Sequence, residues 1–370
     1  MKKSGTKVFV GVSGGVDSSV SLALLKDAGY DVTGVFIRTW QPDFIECTWR
    51  DERRDAMRVC AHLGVPFLEC DLESVYRDEV AMYMIDEYKK GRTPNPDVMC
   101  NKKVKFGGFL DFALAHGADF VATGHYAQIA EVSAPSPSQE RAGVRLFYLK
   151  QSKDQNKDQT YFLWTLTQEQ LSKTLFPVGH LEKAEVRKLA EKYNLPTATK
   201  KDSQGVCFLG MIDMKEFLSH YIEKKDGIVL NEKGHAIGTH EGAVFITLGQ
   251  RHGFTITEKG TDDKRYYVIS KDIETNTITV TDDLVSVTDN LEKEQTILTL
   301  SQVVLHGSID PDTTYQARIR YRQILQDCKV MKDEKGYTQV IFETLQISAS
   351  KGQSCVMYDG ELCLGGGVIE

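Results

Sequence analysis

The sequence KVFVGVSGGVDSSVSLALL at residues 7–25 determines how the N-terminal half of this chain folds. Its short apolar, β-branched run at residues 8–12 predicts a buried strand. The run stops at SGGVDSS, residues 13–19, and a mostly apolar helical stretch then continues to Gly29, a residue suited to end a helix. A strand, a glycine-rich loop and a helix start therefore follow one another in one short segment.

This order of elements directs several backbone N–H groups and the positive end of a helix at one point, which is the geometry of an anion site. Gly14 and Gly15 permit positive φ and close approach of a phosphate, and Ser13, Ser18 and Ser19 add hydroxyl donors. The loop holds no lysine, so it is not of the GxxxxGK(S/T) type. An ordinary strand–turn–helix with serine caps is the alternative. The pattern resembles instead the SGGxDS loop of the PP-loop ATP pyrophosphatases, which implies an ATP site.

Length and composition describe a globular chain of several domains. With 370 residues the chain exceeds one ordinary hydrophobic core, so about two or three domains are expected. The hydrophobic content of 41% and the charged content of 26% are typical of globular proteins in water. No apolar run reaches the roughly 18 residues of a membrane span. The N-terminal MKKSGTKVF leads directly into the first strand, so we expect no signal peptide, no membrane association and a cytoplasmic location.

The cysteine pattern and the net charge limit which disulfides, metal sites and nucleic-acid contacts can be expected. The eight cysteines are expected to lie in a reducing compartment, which disfavours structural disulfides. They form no CxxC pair, so we predict neither a zinc ribbon nor an iron–sulfur cluster, and no protein residues as metal ligands. The net charge of −7 is not that of a general nucleic-acid binder, so any RNA contact has to come from local patches.

Strands and helices alternate through the first third of the chain. Further buried strands are predicted at residues 33–37, 66–70 and 120–123, helices at 50–63, 73–90 and 104–116, and a loop at 92–101. This alternation predicts a parallel sheet covered on both faces. Ligands of such sheets bind beyond the carboxyl ends of the strands. The Ser13 loop, the segment after Ile37 and the pair Gly124-His125 all fall at that edge.

In the second half of the chain the predicted elements change from helices to short strands and turns. A capping-box pattern, Thr167 with Gln170, begins one helix, and further helices are predicted at residues 183–193 and 213–222. From residue 227 short strands alternate with turns, predicted at 231–234, 272–276, 333–336 and 359–360. A polar excursion at 133–143 is predicted to be a surface loop. We therefore expect an α/β parallel-sheet domain at residues 1–210, a small β-rich central domain at 211–285 and a C-terminal β-barrel-like domain at 286–370.

Two cysteines stand in polar segments. Cys100 belongs to NPDVMCN, residues 95–101, interpreted as a loop at a helix N-terminus with Asp97 one turn back, where the helix dipole can lower the pKa of a thiol. Cys207 belongs to KKDSQGVCF, residues 200–208, a loop with two lysines. A thiolate beside cations is a nucleophile or a persulfide carrier. Cys47 is left unassigned, and the remaining cysteines are interpreted as small buried hydrophobes, namely Cys60, Cys70, Cys328, Cys355 and Cys363.

Seven motifs taken together carry a closer resemblance. In order, they are SGGVDSS, NPDVMCN, ATGHYA, NKDQTYFL, KKDSQGVCF, TLGQRHG and RIRYRQ. Across nearly the whole chain they resemble the tRNA-specific 2-thiouridylase family, which thiolates uridine 34 of certain tRNAs. The chain departs from the family pattern at residues 38–47, beside the expected adenine pocket, and at residues 133–143.

The resemblance implies a mechanism and a set of site residues. ATP, with Mg²⁺, would bind along Gly11, Val12, Ser13, Gly14, Gly15, Val16, Asp17 and Ser18, with Ile37 and Gly124 on the adenosine side. The C2 oxygen of uridine would attack the α-phosphate and release pyrophosphate. A persulfide on Cys207 would then deliver sulfur, AMP would leave, and Cys100 would attack the persulfide to give a transient Cys100–Cys207 disulfide. Asp97 would handle the proton. Adenylation is needed because the C2 oxygen is otherwise a poor leaving group.

The resemblance also implies an RNA surface. Its predicted contacts are Asn95, Pro96, Asp97, His125, Lys157, Asp158, Gln159, Arg320, Tyr321 and Gln353. A strand at residues 315–322 would place Arg318, Arg320 and Arg322 on one face, for which a solvated strand face is the alternative. Lysines and arginines at 183, 187, 188, 192, 200 and 201 form a second basic region suited to phosphate. The expected partners are the anticodon loop of tRNA and a sulfur donor, either a cysteine desulfurase or a persulfide relay protein, and the protein is expected to act as a monomer.

Two other functions remain open from the sequence. A PP-loop amidotransferase or ligase would need an ammonia source, and the chain shows no N-terminal cysteine and no evident glutaminase segment. A non-catalytic tRNA-binding or sulfur-carrier protein would have no use for an intact SGGVDSS loop. Substitution of Cys207 separates these hypotheses, because binding would survive while thiolation would disappear.

Overall fold

A computed structural model describes residues 5–45, 49–133, 145–201, 214–257, 265–282, 296–346 and 349–370. In chain order its first elements are β1 (Lys7–Gly11), α1 (Val16–Asp27), β2 (Asp31–Arg38), α2 (Trp49–Leu63), β3 (Phe67–Asp71), α3 (Glu73–Tyr76), α4 (Met82–Lys89), α5 (Pro96–Cys100), α6 (Phe109–Ala115), β4 (Phe120–Ala122), β5 (Gln128–Ser133), β6 (Arg145–Lys150), α7 (Gln168–Ser172), β7 (Thr174–Leu175), α8 (Lys183–Lys192) and α9 (Met214–Ser219). The later strands are β8 (Gly227–Leu230), β9 (Ala236–His240), β10 (Phe254–Ile256), β11 (Tyr267–Asp272), β12 (Thr277–Thr281), β13 (Ile297–Leu305), β14 (Tyr315–Arg318), β15 (Gln326–Lys332), β16 (Thr338–Phe342), β17 (Ser354–Asp359) and β18 (Leu362–Ile369).

Strand β1 lies at the centre of a five-stranded parallel sheet of order β3-β2-β1-β4-β7. The predicted parallel sheet and its first four strands are confirmed. Val8 and Val10 on one face of β1 and Phe9 on the other face are buried in two different hydrophobic clusters, which is why the run is apolar throughout. The chain leaves β1 on one side for β2 and β3 and returns on the other side as β4. Such a reversal opens a crevice at the carboxyl ends of the strands, and SGGVDSS begins there.

One helical segment differs from the prediction. Residues 96–101, expected in a loop, are helical, and the helix continues through a π-helical stretch, Asn101–Gly108, into α6. Asn95 caps this helix, since its side-chain oxygen accepts a hydrogen bond from the Val98 N–H at 3.3 Å, and Pro96 occupies the first helical position. Both are standard signals for a helix start. The predicted loop was therefore wrong from Pro96 onward.

The two C-terminal sheets are built from short strands joined by the predicted turns. The central sheet has the order β10-β9-β8-β12-β11. Gly234, Asn276, Gly336 and Gly360 all have positive φ at the turns predicted to contain them. In the last sheet, strands β13, β16, β15, β14, β17 and β18 close into a barrel because β13 also pairs with β18. The β-rich architecture is confirmed, and the three domain limits stay predictions.

A hairpin from the N-terminal half joins the C-terminal sheet. Strands β5 and β6 pair with each other, and β6 pairs with β18 through Leu149 and Cys363. Leu149 and Cys363 are both buried in one hydrophobic cluster that also contains Phe109 and Trp164. This pairing leaves no local pattern in the sequence, because the strands concerned lie far apart in the chain.

Burial confirms part of the cysteine assignment. Cys60, Cys70, Cys328, Cys355 and Cys363 are buried, as predicted. Cys47, Cys207 and the excursion at 134–143 lie outside the described residues.

Among the helices that the structure describes, none is long and apolar enough to cross a membrane.

Candidate functional site

The glycine-rich loop after β1 is held in one shape by its own hydroxyl groups. Gly14 has φ +69°, and a Cβ atom there would lie 2.5 Å from the Glu52 carbonyl oxygen of α2, so only glycine fits. The Ser18 hydroxyl donates to the Gly15 carbonyl at 3.2 Å and accepts from the Ser13 N–H at 3.3 Å. Since the hydroxyl of Ser18 closes the loop internally, the exposed Ser13 is the hydroxyl placed nearest to solvent.

Two other predicted site residues, Gly124 and Ile37, pack close to the loop. Gly124, after β4, lies against the first turn of α1, and a Cβ atom there would sit 2.7 Å from the Ser18 nitrogen and 2.8 Å from the Asp17 carbonyl carbon. Any side chain at Gly124 would therefore crowd the helix N-terminus that attracts anions. The Ile37 side chain lies beside Gly11, 3.6 Å from a Cβ built there. The structure thus brings together the predicted set Gly11, Val12, Ser13, Gly14, Gly15, Val16, Asp17, Ser18, Ile37 and Gly124; their contacts to ATP stay a prediction.

A lysine reaches the loop from a distant helix. Lys183, the first residue of α8, donates from Nζ to both carboxylate oxygens of Asp17, at 2.7 and 2.9 Å. The Tyr126 hydroxyl donates to the same carboxylate at 2.9 Å. The loop lacks a lysine in sequence, but the fold supplies one in space. Sequence reasoning missed this because the two residues are 166 positions apart.

The second predicted basic region presents fewer exposed cations than expected, because several of its side chains contact other parts of the protein. Lys183 points to the loop, Arg187 donates to the carbonyl oxygens of Ala198 and Lys200 at 3.1 and 2.6 Å, and Lys200 pairs with Asp55 at 2.8 Å. Three of its six cations therefore serve contacts within the protein. Lys188, Lys192 and Lys201 are exposed.

Cys100 lies at the end of α5 and is fully buried. It packs in the hydrophobic cluster with Val98, Val104 and Phe106. The expectation of a cysteine on a polar loop was wrong here, because the helix that starts at Pro96 turns this side chain inward. Asp97 is half-buried one turn earlier. Cys207 lies outside the described residues, so its pairing with Cys100 stays a prediction.

His125, predicted to contact RNA, is buried. Its Nδ1 lies 2.7 Å from the Thr123 hydroxyl and its Nε2 lies 3.4 Å from Lys105 Nζ. Burial, and secondly the Lys105 charge, lower the pKa of His125 well below its ordinary value. The imidazole is therefore neutral at physiological pH and cannot pair with a phosphate as a cation.

Asp158 is a buried structural partner rather than a surface contact. It accepts a hydrogen bond from Arg318 Nη2, and the Tyr358 hydroxyl accepts from the same guanidinium at 2.7 Å. Both charged side chains are at most 5% exposed. Because Arg318 is buried, the alternative of a solvated strand face does not hold for it; the Asp158 side chain faces Arg318, and its contact with RNA stays a prediction. The predicted strand also ends at Arg318, so Arg320 and Arg322 lie in the following turn.

The residues on either side of Asp158 are more exposed than Asp158 itself. Lys157 and Gln159 flank Asp158 and are half-buried. Gln159 accepts a hydrogen bond from the Tyr126 N–H at 2.9 Å, which connects this segment to the tyrosine that contacts Asp17. The predicted RNA residues around Asp158 are thus connected to the glycine-rich loop after β1.

Four other predicted RNA residues line one cleft of about 470 Å³. Asn95 comes from the N-terminal end of α5, Arg320 and Tyr321 come from the turn after β14, and Gln353 precedes β17. Gln353 Nε2 donates to the Thr93 carbonyl at 3.0 Å, which ties the barrel to the segment before α5. The remaining lining residues are Thr93, Tyr161, Thr247, Leu248, Gly249, Gln250, His252 and Ser350.

The cleft also has a wall that no site prediction included. Residues 247–253, TLGQRHG, come from the central domain. The motif contributed to the family resemblance, but it carried no residue role. Nothing in the sequence indicated which surface this motif faces.

Comparisons with known proteins fit this architecture. Three family models match in succession: tRNA methyl transferase HUP domain over residues 6–211, tRNA methyl transferase PRC-barrel domain over 215–282 and Aminomethyltransferase beta-barrel domain over 295–369. The tRNA-specific 2-thiouridylase MnmA of Streptococcus sanguinis is 45% identical over 98% of this chain and 95% of its own length. The chain belongs to the tRNA-specific 2-thiouridylase family. The MnmA of Halalkalibacterium halodurans is 44% identical over 99% of this chain and 95% of its own length.

Membership of the 2-thiouridylase family confirms the resemblance drawn from the seven motifs. Among solved structures, the U34-tRNA thiolase NcsA of Methanococcus maripaludis matches with a TM-score of 0.36 and 17% identity over 60% of this chain and 65% of that one. The descriptions of the first two family models speak of methyl transfer, whereas the curated relatives are described as thiouridylases. These descriptions imply different products.

Proposed function

We propose that this protein is a tRNA 2-thiouridylase that uses ATP to activate C2 of uridine 34 and a cysteine persulfide to replace its oxygen by sulfur. The observation that carries the proposal, beside the family membership, is the placement of α5. Asn95 lines the cleft and caps α5, whose last residue is Cys100. One short helix therefore connects the proposed RNA surface to the proposed sulfur chemistry.

In the proposed reaction, ATP binds along the loop after β1, and Mg²⁺ bound with it supplies charge neutralisation at the phosphates. The helix N-terminus of α1 and the loop N–H groups orient the phosphates. The fold places Lys183 at the same loop, where a cation stabilises charge that develops on phosphate oxygens. The uridine C2 oxygen displaces pyrophosphate and becomes part of a good leaving group, AMP.

Two cysteines account for every bond that forms and breaks in the proposed sulfur transfer. The terminal sulfur of a Cys207 persulfide attacks C2, the C2–O bond breaks, and AMP leaves with the electron pair. The Cys100 thiolate then attacks the Cys207 sulfur. The bond between the Cys207 sulfur and the sulfur now attached to C2 breaks, and 2-thiouridine leaves with its sulfur. The resulting Cys100–Cys207 disulfide needs a dithiol reductant and a new persulfide donor for the next turnover. Asp97 is the proposed proton-handling group.

The buried position of Cys100 imposes a conformational requirement. The described structure leaves the Cys100 thiol shielded from solvent, where neither tRNA nor a reductant can reach it. We propose that tRNA binding at the cleft shifts α5, or the segment that packs on it, and exposes the thiol. A substantial minority of complexes show loop or domain rearrangements of this kind on binding.

The proposal also covers the oligomeric state, the cellular location and the source of sulfur. The protein acts as a monomer in the cytoplasm and receives sulfur from a cysteine desulfurase or a persulfide relay protein. Light scattering coupled to gel filtration, with and without tRNA, measures the oligomeric state. A stable dimer in both conditions would contradict the monomer.

The test of the function is a reconstituted reaction. Purified protein is incubated with unmodified tRNA that carries U34, ATP, Mg²⁺ and a persulfide donor, and the nucleosides are analysed by mass spectrometry. Wild type and Cys47→Ser, the control, are expected to make 2-thiouridine, while Cys100→Ser and Cys207→Ser make none. All four are expected to bind ATP.

Other outcomes identify the competing functions. A methylated uridine would favour the activity named in the family-model descriptions. ATP cleavage only with a small-molecule acceptor would favour a ligase, and tRNA binding without any product would favour a non-catalytic RNA-binding or carrier protein.

A further inference from the structure

The loop at residues 247–253 forms a wall of the cleft and has no part in the function proposed above. It follows the 3₁₀ turn Ala243–Phe245 and precedes β10. Thr247, Leu248, Gly249, Gln250 and His252 all line the cleft. The central domain therefore faces the same space as the N-terminal domain and the barrel.

Backbone hydrogen bonds fix the shape of this loop. The Gly249 N–H donates to the Val268 carbonyl at 2.7 Å, and the Val268 N–H donates back to the Gln250 carbonyl at 3.0 Å. Gly249 has φ +79° and Gly253 has φ +93°, conformations that favour glycine at both places. Lys271 Nζ donates to the Ile246 carbonyl at 2.8 Å just before the loop. The loop is thus anchored to β11 on both sides of its first glycine.

The Gln250 side chain completes this internal frame. Its Oε1 accepts from the Thr247 N–H at 3.0 Å, and its Nε2 donates to the His252 carbonyl at 2.6 Å. Both ends of the amide are therefore used within the loop. Gln250 is a positioning residue, and the side chains that follow it, Arg251 and His252, are the exposed ones.

The cleft has the charge that an RNA backbone requires. Among its lining residues that the structure describes there is no Asp or Glu, although the whole chain carries 52 acidic residues and a net charge of −7. Arg320 lies across the cleft and is exposed, beside the half-buried Tyr321. Cations around an aromatic ring and polar amides are the groups that hold single-stranded RNA by phosphate contact and stacking.

We propose that the 247–253 loop is a third RNA-binding wall, in which Arg251 and His252 contact the phosphate backbone of the anticodon loop beside the target uridine. This inference rests on the proposed function and deepens it by adding the central domain to the binding site. The fixed backbone matters because a pre-ordered loop loses little conformational entropy when RNA binds. His252 and Arg320 both line the cleft, and Arg251 is the exposed residue next to His252, so the RNA strand passes between the central domain and the barrel.

The test compares tRNA binding by full-length variants. Arg251→Ala, His252→Ala and the double variant are measured by fluorescence anisotropy with unmodified tRNA over a range of salt concentrations. Lys233→Ala, which removes an exposed cation from the Asn231–Gly234 turn of the same domain, is the control. Arg251→Lys keeps the charge. ATP binding is measured in parallel, since the loop is not part of the nucleotide site.

We expect Arg251→Ala to weaken tRNA binding roughly tenfold and to reduce the slope of log K against log salt by about 0.7 to 0.9, the loss of one phosphate contact. Arg251→Lys should restore most of the affinity, and the double variant should be weaker than either single one. ATP binding should be equal in all variants.

Three results would overturn the inference. Unchanged tRNA affinity and salt slope in the double variant, with measurable binding by wild type, would overturn this inference alone. Loss of sulfur delivery from a protein donor with unchanged tRNA binding would instead identify the loop as a donor-docking surface. A wild type that binds no tRNA at any salt concentration would overturn the proposed function together with this inference.

Discussion

Lys183 and Asp17 form a two-point ion pair that joins the first residue of α8 to the first turn of α1, with Nζ at 2.7 and 2.9 Å from the two carboxylate oxygens. The pair is partly screened from water, with 16% of the lysine side chain and 31% of the aspartate side chain exposed. It places a cation at a glycine-rich loop that has none in its own sequence.

Substitution of this lysine is expected to weaken binding of phosphates more than binding of the nucleoside. For Lys183→Met we predict a loss in ATP affinity of roughly tenfold, the value of a charge-assisted contact, with little change in adenosine affinity. Isothermal titration calorimetry with both ligands measures the difference. Lys188→Met, an exposed lysine on the same helix, is the control. Equal loss for ATP and adenosine would mean that Lys183 only supports the fold.

The Arg318–Asp158 pair is expected to dominate the stability of the contact between the barrel and the N-terminal domain. Removal of one partner leaves a buried, uncompensated charge, so Asp158→Ala and Arg318→Met should each cost about 3–5 kcal/mol in the free energy of unfolding. The double variant should cost much less than the sum. Urea unfolding followed by tryptophan fluorescence gives the three values. Additive losses would show that the two side chains are not energetically coupled.

The buried His306 predicts a pH-dependent loss of stability. Burial lowers the pKa of His306 from 6.5 to about 4, and its Nε2 has no hydrogen-bond partner among the described residues. The unfolded chain therefore binds the proton more tightly than the folded one, and stability is lost as pH falls from 6.5 towards 4. The loss is about 3 kcal/mol at pH 4.

Thermal unfolding between pH 7 and pH 4 measures this effect. His306→Gln should flatten the slope over this interval, while His235→Gln, at an exposed histidine, should leave it as in wild type. A slope that is unchanged in His306→Gln would assign the acid sensitivity to other groups.

Burial of the described cysteines predicts slow alkylation of the folded protein. In a Cys47→Ser/Cys207→Ser variant the remaining six thiols are all buried. Iodoacetamide should label this variant slowly in buffer and rapidly in urea, since the thiol has to reach solvent to react. Addition of tRNA with ATP should increase labelling at Cys100 specifically, as judged by peptide mass spectrometry. Rapid labelling of Cys100 without RNA would contradict its burial.

The sequence predicted those parts of the fold that depend on local signals. The strand before SGGVDSS, the helix after it and the turns at Gly234 and Gly336 follow from neighbouring residues, and the structure has them where expected. Cys100 was misplaced although its signals were also local. Asn95 and Pro96 mark a helix start, but the polar composition of NPDVMCN was read as a loop.

The remaining differences come from contacts between distant residues. The partners of Lys183 and Arg318 lie 166 and 160 positions away, so neither ion pair leaves a pattern in the sequence around it. The same holds for the cleft, whose walls come from three parts of the chain. Charge alone predicted that Lys183 belongs to a basic region suited to phosphate and that Arg318 shares a strand face with other arginines, whereas the contacts that direct both side chains inward depend on the assembled fold.

The pairing of β6 with β18 has a consequence for biosynthesis. The β5–β6 hairpin leaves the ribosome about 210 residues before β18 exists. At roughly 5–20 residues per second, its free edge waits about 10 to 40 s for its partner. An unpaired strand edge readily accepts a strand from another chain. Truncated chains that end before Leu362 are therefore expected to self-associate through this hairpin, and nascent chains depend on chaperones until the last strand is released.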